Sequence, residues 1–365
     1  MNHRERVETV LGHREPDRTP VFEYVLYPPV AAEILRTDFI DYTDNTTGWI
    51  QRAKSVGWKR ELDRYVADRL DLAELLGHDL LYVCPNPSPQ DLDQPAYVGQ
   101  ELVGFAAMME GDPVQRVVER NAKAREKGFE VPKDRLLVYR LLDAEMKRRG
   151  LDLPVLAPAY AHGTWTDSDL MQTMALEPEV AHEHFAVATD RSLANIDKYL
   201  ELGIRLLGIG GDFAGKRPMV SPEMYRDFIM PEVKKCTTVI HEAGCWAVNA
   251  SDGDLWSVID DFLIGCDVDA YLEIDMFAGM DLGRLKERFG DRITFFGNMD
   301  CGNVLSFSTP REVARITREI IEAGMGSGGH IFCSSNAITK SVPTTNYMAM
   351  VNAFREFFGL IKITT

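Results

Sequence analysis

The sequence has no long hydrophobic run and few cysteines. No apolar run approaches the roughly 20 residues that cross a bilayer, and the first residues, MNHRERVETVLGHREPDR, are too polar for a signal peptide. The six cysteines are scattered, with no C-x-x-C pair, so their spacing does not suggest a thiolate-rich zinc site. These absences predict a reduced, cytoplasmic protein without membrane contact.

Positive charge is also in the minority. The chain has 40 Lys plus Arg against 56 Asp plus Glu, a formal net charge of −16. Such a surface repels nucleic acid and anionic membranes, so we expect neither as a partner. With 365 residues, 45% of them apolar, the chain has enough material for one large, ordered core.

What the sequence does contain is a repeating unit in its second half, where short apolar runs end in polar residues before a helix-start signal. The runs and their polar ends are Ile204–Gly210 with Asp212, Trp246–Val248 with Asn249 and Asp252, Ala270–Leu272 with Glu273, Ile293–Phe296 with Asn298 and Asp300, and His330–Cys333 with Ser334, Ser335 and Asn336. Strands that each deliver polar groups at their carboxyl ends are typical of the catalytic rim of a (β/α)8 barrel.

The first half supplies the remaining elements. We expect an N-terminal helix over about 3–12, a first strand over 20–24 with Glu23 at its rim end, a second over 79–84 and a third over 154–160. Residues 85–153 are an insertion between strands two and three that is predicted to cap the barrel mouth, with a hairpin over 96–105 and a solvated helix over 113–127. Residues 1–365 thus form a single α/β domain, a TIM barrel.

The predicted rim is rich in carboxylates. Asp212, Asp252 and Glu273 are the candidate catalytic residues, because carboxylates crowded at one mouth cannot all ionise freely and at least one pKa should rise, which suits general acid chemistry. An alternative interpretation makes Asp252 a helix N-cap. Strand alternation predicts that Trp246, Val248 and Ala250 face inward with Asp252, and that Tyr271 faces inward with Glu273.

The same reasoning predicts that Ser334, Phe332 and His330 face inward with Asn336, while Cys333 and Ser335 face the helices. His162, just beyond the third strand, is a candidate proton donor or substrate contact. Neither GIGG nor GSGG matches a nucleotide-binding spacing.

Several blocks resemble the uroporphyrinogen decarboxylase superfamily. They are HREPDRTPV, GIGGDFAG, VSPEMYRDFIMPEV, the run from SDGDLW to GNMDCG, GGHIFCSSNAI and VPTTNYMAM, and the likeness covers about residues 4–24 and 154–358. The resemblance implies a (β/α)8 barrel with one of two chemistries: decarboxylation of uroporphyrinogen without a cofactor, or methyl transfer involving a corrinoid or a thiol, often with zinc.

The matching positions favour one branch. The decarboxylases' M-R-Q-A-G-R segment is replaced here by Phe22–Tyr27, without arginine, and a carboxylate-lined mouth repels a polyanion. Zinc is also found in the family, but its His-x-Cys and Cys ligands are replaced by Ala250, Asp252 and Asn336. What remains resembles the methyltransferase components of O-demethylases, which pass a methyl group from a small methylated or methoxylated molecule to the cobalt of a separate corrinoid (cobalamin) protein.

In that branch the rim residues take substrate-binding roles. Asn298 and Asn336 would hold the substrate or the departing oxygen, with an aromatic wall around them. The predicted substrate-binding set is Glu23, Tyr24, Tyr160, His162, Trp165, Asn298, Phe332 and Asn336. Two alternatives stay open: a metal-free lyase that decarboxylates a small carboxylated substrate, and a binding member that has lost catalysis.

Overall fold

Seven parallel strands form one sheet in chain order, each connected to the next through helical segments. The computed structural model describes residues 1–92, 111–164 and 167–364. The strands are β1 Leu81–Tyr82, β2 Val155–Pro158, β3 Leu206–Gly210, β4 Trp246–Ala250, β5 Ala270–Leu272, β6 Thr294–Phe296 and β7 His330–Ile331, and each pairs in parallel with the next. These are the predicted second to eighth strands, and the α/β class is confirmed.

The predicted first strand is not a regular strand. Its residues make isolated backbone contacts instead: the Phe332 amide donates to Pro20 O at 2.8 Å, the Phe22 amide to Phe332 O at 3.2 Å, and the Asp79 amide to Val21 O at 2.6 Å. The segment therefore touches the chain next to both edge strands, β7 and β1. The sheet curls in a manner compatible with a TIM barrel.

Helices surround the sheet. They are α1 His3–Leu11, α2 Val30–Leu35, α3 Thr46–Val56, α4 Trp58–Leu76, α5 Pro113–Lys127, α6 Leu137–Arg149, α7 Ser168–Leu176, α8 Pro178–Glu201, α9 Pro222–Met224, α10 Met230–Glu242, α11 Leu282–Phe289, α12 Val304–Phe307, α13 Pro310–Gly324 and α14 Thr344–Phe357. The caps expected from the sequence are present, since Ser221 Oγ accepts from the Met224 amide at 3.2 Å and Thr309 Oγ1 from the Glu312 amide at 3.3 Å.

One apolar cluster fills the interior enclosed by the strands. Its members alternate along each strand, as the two-residue period requires, and α1 adds Val7, Val10 and Leu11 from below. The other members, which lie in the strands or directly beside them, are Phe22, Leu80, Leu156, Leu206, Val248, Ala270, Leu272, Phe296, Ile331 and Cys333, with Tyr24, Tyr82, Trp246 and Ala250 packed against them.

A buried ion network fixes α1 at this lower end. Asp79 is fully buried and accepts from Arg6 Nη1 at 2.6 Å and from Arg18 Nη1 at 2.7 Å. The Asp79 carboxylate also accepts from the Val21 amide at 2.9 Å. Burial alone would raise its pKa, but hydrogen bonds from His3, Arg18 and the Val21 amide, together with the positive charge of Arg18, leave that pKa below its usual range.

The predicted insertion is described only in part. The helix expected over 113–127 is α5, whose Arg116 and Arg125 pair with Asp169 of α7 and Glu183 of α8. The hairpin expected over 96–105 lies outside the described residues, so the capping role of 85–153 stays a prediction. Among the described helices, none is both long and apolar enough to cross a membrane.

Candidate active site

The three predicted catalytic carboxyls follow neighbouring strands. Asp212 comes after β3, and its Oδ1 accepts a hydrogen bond from the Asp252 amide, after β4, at 3.0 Å. The close approach depends on Gly210, where a Cβ would lie 2.1 Å from Asn249 Oδ1 and 2.9 Å from Ala250 O. Burial raises the pKa of Asp212, so this acid is less readily ionised than a surface aspartate.

Asp252 lies at the centre of the cluster. Its Oδ2 accepts from Asn336 Nδ2 at 2.6 Å, and burial, followed by repulsion from Asp212 and Asp275, raises the pKa of Asp252 to about 7. Asp252 caps no helix among the described residues, because the next helical residues begin only at Ile259. The prediction that Trp246, Val248 and Ala250 share its inward face is confirmed.

Glu273, after β5, reaches the same cluster through an unusual backbone. It is a non-glycine residue with φ of 70°, a left-handed conformation that is costly outside glycine and concentrates at functional sites. Its side chain is 8% exposed. Burial, followed by the charges of Asp252 and Asp212, raises its pKa well above the usual range, while the nearby Tyr24 hydroxyl opposes the shift.

The left-handed residue also explains a wrong prediction about facing. Tyr271 was expected to face inward with Glu273, but the inward residues of β5 are Ala270 and Leu272. Tyr271 packs outward against Phe262. Strand alternation ends at Leu272, and the turn at Glu273 directs its side chain to the mouth although its neighbour two positions earlier points away.

Two tyrosines stand beside the acids. Tyr24, predicted as a substrate contact, packs against the interior cluster, and its ring centroid lies 4.5 Å from that of Tyr82. Tyr82 was not predicted, although it follows inward-facing Leu80 by two positions, which is the signal that identifies it. The pair gives the acidic cluster an aromatic side.

Asn336 joins the cluster from the chain after β7. Its Oδ1 accepts from the Ala337 amide at 2.6 Å, which leaves Nδ2 to donate to Asp252. Oδ2 of Asp252 accepts this bond, which favours the other oxygen, Oδ1, as the site of a proton on Asp252. The structure therefore unites Asp212, Asp252, Glu273, Tyr24 and Asn336, residues that are far apart in the sequence.

Phe332 is not part of this group. The prediction that it faces the interior is wrong, because Ile331 and Cys333 occupy the interior face, and Phe332 stacks on Phe354 of α14 at 5.4 Å. Cys333 was correspondingly expected to face the helices and does not. The error arises because β7 is only two residues long, too short for the residue count to be carried back from Asn336.

Glu23 also lies apart from the mouth. Phe22 and Tyr24 face the interior, so Glu23 between them points the opposite way, where it is 3% exposed and contacts Ser334. Burial raises the pKa of Glu23 to about 7. The structure thus provides no direct route from Glu23 to a substrate.

Three further predicted residues are buried elsewhere. Tyr160 packs in the helical layer beside Thr189, and Asn298 donates to Met280 O at 3.3 Å and lines a cavity of about 320 Å³ next to α11 and α13. His162 is 2% exposed and bonds Thr164 at 2.8 Å. Burial lowers its pKa to about 4, so His162 is neutral at pH 7 and carries no imidazolium proton to donate. Trp165 lies outside the described residues.

The comparisons with known proteins agree with this architecture. The uroporphyrinogen decarboxylase (URO-D) family model matches residues 154–357. The chain belongs to the uroporphyrinogen decarboxylase family. The matched region contains Asp212, Asp252, Glu273 and Asn336, and so includes all of the candidate catalytic residues.

Relatives within the family are distant. The uroporphyrinogen decarboxylase of Aromatoleum aromaticum is 23% identical over 200 residues, 53% of each chain, and that of Coxiella burnetii is 24% identical over 189 residues, 50% of this chain and 48% of that one. The chain therefore matches about half the length of these curated relatives. A methyltransferase from Methanosarcina mazei has a similar fold over 98% of this chain and 99% of its own, with a TM-score of 0.70 and 17% identity.

The zinc site of the family's thiol-directed methyltransferases does not fit the residues here. Ala250, Asp252 and Asn336 stand at the corresponding positions; Ala250 packs against the apolar interior, and the other two are hydrogen bonded to each other. Across 1–92, 111–164 and 167–364, no three His, Cys, Asp or Glu side chains form a group that could hold a metal.

Proposed function

We propose that this family member is a methyltransferase that removes a methyl group from a small methylated or methoxylated molecule and passes it to a corrinoid carried by a separate protein. The observation that carries the proposal is the contact between Asp212, Asp252 and Asn336, with Glu273 close enough for the charges of Asp252 and Asp212 to raise its pKa. This arrangement keeps a carboxylic acid protonated near neutral pH at the mouth.

The chemistry requires such an acid. A methyl ether loses its methyl group only slowly unless its oxygen is protonated as the carbon–oxygen bond breaks. The electron pair of that bond stays with the oxygen, which takes the proton from Asp252 Oδ1. The methyl group leaves toward a Co(I) corrinoid, a co-substrate that supplies the electron pair of the new bond.

The surrounding residues prepare this transfer. Asp212 fixes the Asp252 backbone, and Asn336 holds Oδ2, so the acidic proton has a defined position. Burial and the negative charges of Asp212 and Asp275 resist ionisation of Asp252, which keeps the proton available. Tyr24 and Tyr82, whose rings are tilted against each other by 59°, supply an aromatic wall for the substrate.

The test uses the purified protein with a Co(I) corrinoid protein and a panel of methoxylated and N- or S-methylated compounds. Methylation of the corrinoid changes its visible absorbance, and we expect this change with at least one compound. Glu273→Gln should abolish it, whereas Glu287→Gln, an exposed glutamate on α11, should not. No absorbance change across the whole panel contradicts the proposal.

The names of the distant relatives favour a second candidate, decarboxylation. The absence of arginine from Phe22–Tyr27 and the acidic mouth argue against uroporphyrinogen itself, a polyanion. A smaller carboxylated substrate would fit a metal-free lyase. Carbon dioxide release from such a compound, without corrinoid methylation, would replace the first proposal with this one.

A further inference from the structure

Behind the strand ends lies a carboxyl that the proposed transfer does not use. Glu23 is almost completely buried, and its Oε1 is within hydrogen-bond distance of both the hydroxyl and the backbone amide of Ser334. The Ser334 hydroxyl in turn lies 2.6 Å from the backbone carbonyl oxygen of Asn336. Ser334 is therefore flanked by two oxygens.

Counting protons decides how these contacts are made. A serine hydroxyl has a single hydrogen to donate, and a backbone carbonyl never donates. If Ser334 donates to Asn336 O, the contact with Glu23 requires a proton from the Glu23 carboxyl. If Glu23 were ionised, one of the two short oxygen contacts would bring lone pairs together without hydrogen between them.

No positive charge is present to favour ionised Glu23 among the described groups that act on it. The titratable groups that face it are Tyr347 of α14, Cys333 after β7 and Cys301 after β6. All three are neutral acids at pH 7, so none compensates a buried carboxylate. Burial raises the pKa of Glu23, although hydrogen bonds from Ser334, Tyr347 and the backbone of Tyr24 oppose the shift.

We infer that Glu23 is a protonated positioning residue, which holds Asn336 through Ser334 and thereby orients Asp252. The connection runs from Glu23 to the Ser334 hydroxyl, from there to the Asn336 carbonyl, and through the Asn336 side chain to Asp252 Oδ2. When Glu23 ionises, it attracts the Ser334 hydrogen, and the Asn336 carbonyl loses its hydrogen-bond donor. The Asn336 side chain then holds Asp252 less firmly.

An infrared titration without substrate tests the protonation directly. Between pH 6 and pH 8 the wild type should lose a carboxylic acid carbonyl band that is absent from Glu23→Gln at either pH. The exposed control Glu287→Gln should retain the wild-type band. Identical carboxyl spectra in Glu23→Gln and wild type would show that Glu23 is already ionised and would overturn the inference.

Ser334→Ala provides a second measurement if Glu23→Gln does not fold. It removes the hydroxyl that accepts the Glu23 proton, so the Glu23 band should shift in frequency. An unshifted band means that the two side chains do not interact as inferred. Neither infrared result depends on methyl transfer, so a failure of the proposed function would be seen separately.

Activity supplies the readout of positioning, and this arm alone rests on the proposed function. Because ionisation of Glu23 weakens the alignment of Asp252, wild-type kcat/KM should fall more than tenfold per pH unit on the alkaline side, and that of Glu23→Gln about tenfold. The glutamine amide in that variant cannot ionise and still donates to Ser334. An equally steep decline in the variant would remove Glu23 from the alignment of Asp252.

Discussion

Replacing Asp252 by asparagine should stabilise the fold while abolishing turnover. In the wild type, burial and the charges of Asp212 and Asp275 oppose ionisation of Asp252 and raise its pKa from 3.8 to about 7. The folded state binds this proton more tightly than the unfolded state. The stabilisation that this proton provides is therefore fully present below about pH 4 and is lost as pH rises toward 7. The loss amounts to at most about 4 kcal/mol.

The Asp252→Asn variant avoids this loss, since the asparagine side chain has the shape of the protonated acid and can still accept from Asn336. The two proteins should be similar in stability near pH 4, and the difference in unfolding free energy should grow by about 3 kcal/mol between pH 5 and pH 8. Urea unfolding at both pH values measures it.

Asp291→Asn, at an exposed position, is the matched control and should show no such growth. If Asp252→Asn and wild type lose stability in parallel from pH 5 to pH 8, the carboxyl is not held in its neutral form. Asp252 could then not serve as a general acid near neutral pH. A variant that gains stability but retains methyl transfer would leave the cluster intact and reject Asp252 as the proton donor.

Two other perturbations separate chemistry from folding. Glu273→Gln and Asp212→Asn should each abolish turnover, measured as corrinoid methylation. Their thermal midpoints should be no lower than that of wild type, because rim carboxyls add little to the packed core. If both variants fold and remain active, the acid cluster is not catalytic. Gly253→Ala should cost about 1–3 kcal/mol more than Gly279→Ala in chemical denaturation. Both glycines have positive φ, of 92° and 88°, but only the Cβ at 253 meets another atom, Gly215 O at 2.5 Å, so equal losses would contradict the steric argument.

Much of the fold could be predicted from the sequence, because regular elements obey local rules. The runs Ala270–Leu272 and Trp246–Val248 contain β-branched or aromatic residues and end at polar ones, and both are strands. Ser221 and Thr309 precede prolines at the first helical position, and both cap helices. The family assignment drawn from the sequence blocks is confirmed as well.

The site was harder to predict because it lies where regular structure ends. For Asp252, which continues the alternation of β4, the inward direction was correct. For Glu273 and Phe332 it was not correct to extend the two-residue period through the strand end, because one has a left-handed backbone and the other follows a strand of two residues. The predicted rim position of Glu23 was wrong for another reason. A polar residue at a strand end can face the rim only if its two neighbours do not already face inward.

The buried carboxyls at the two ends of the sheet differ in whether a positive charge compensates them. At the lower end, Asp79 receives bonds from Arg6 and Arg18, so its charge is compensated and it ties α1 to the strands. At the mouth, Asp252 and Glu273 have no such cation in the described hydrogen-bond and ion-pair network, and both resist ionisation. An uncompensated acid pair lowers stability as pH rises above neutral, and its presence supports the proposed chemistry, which needs a proton at that position.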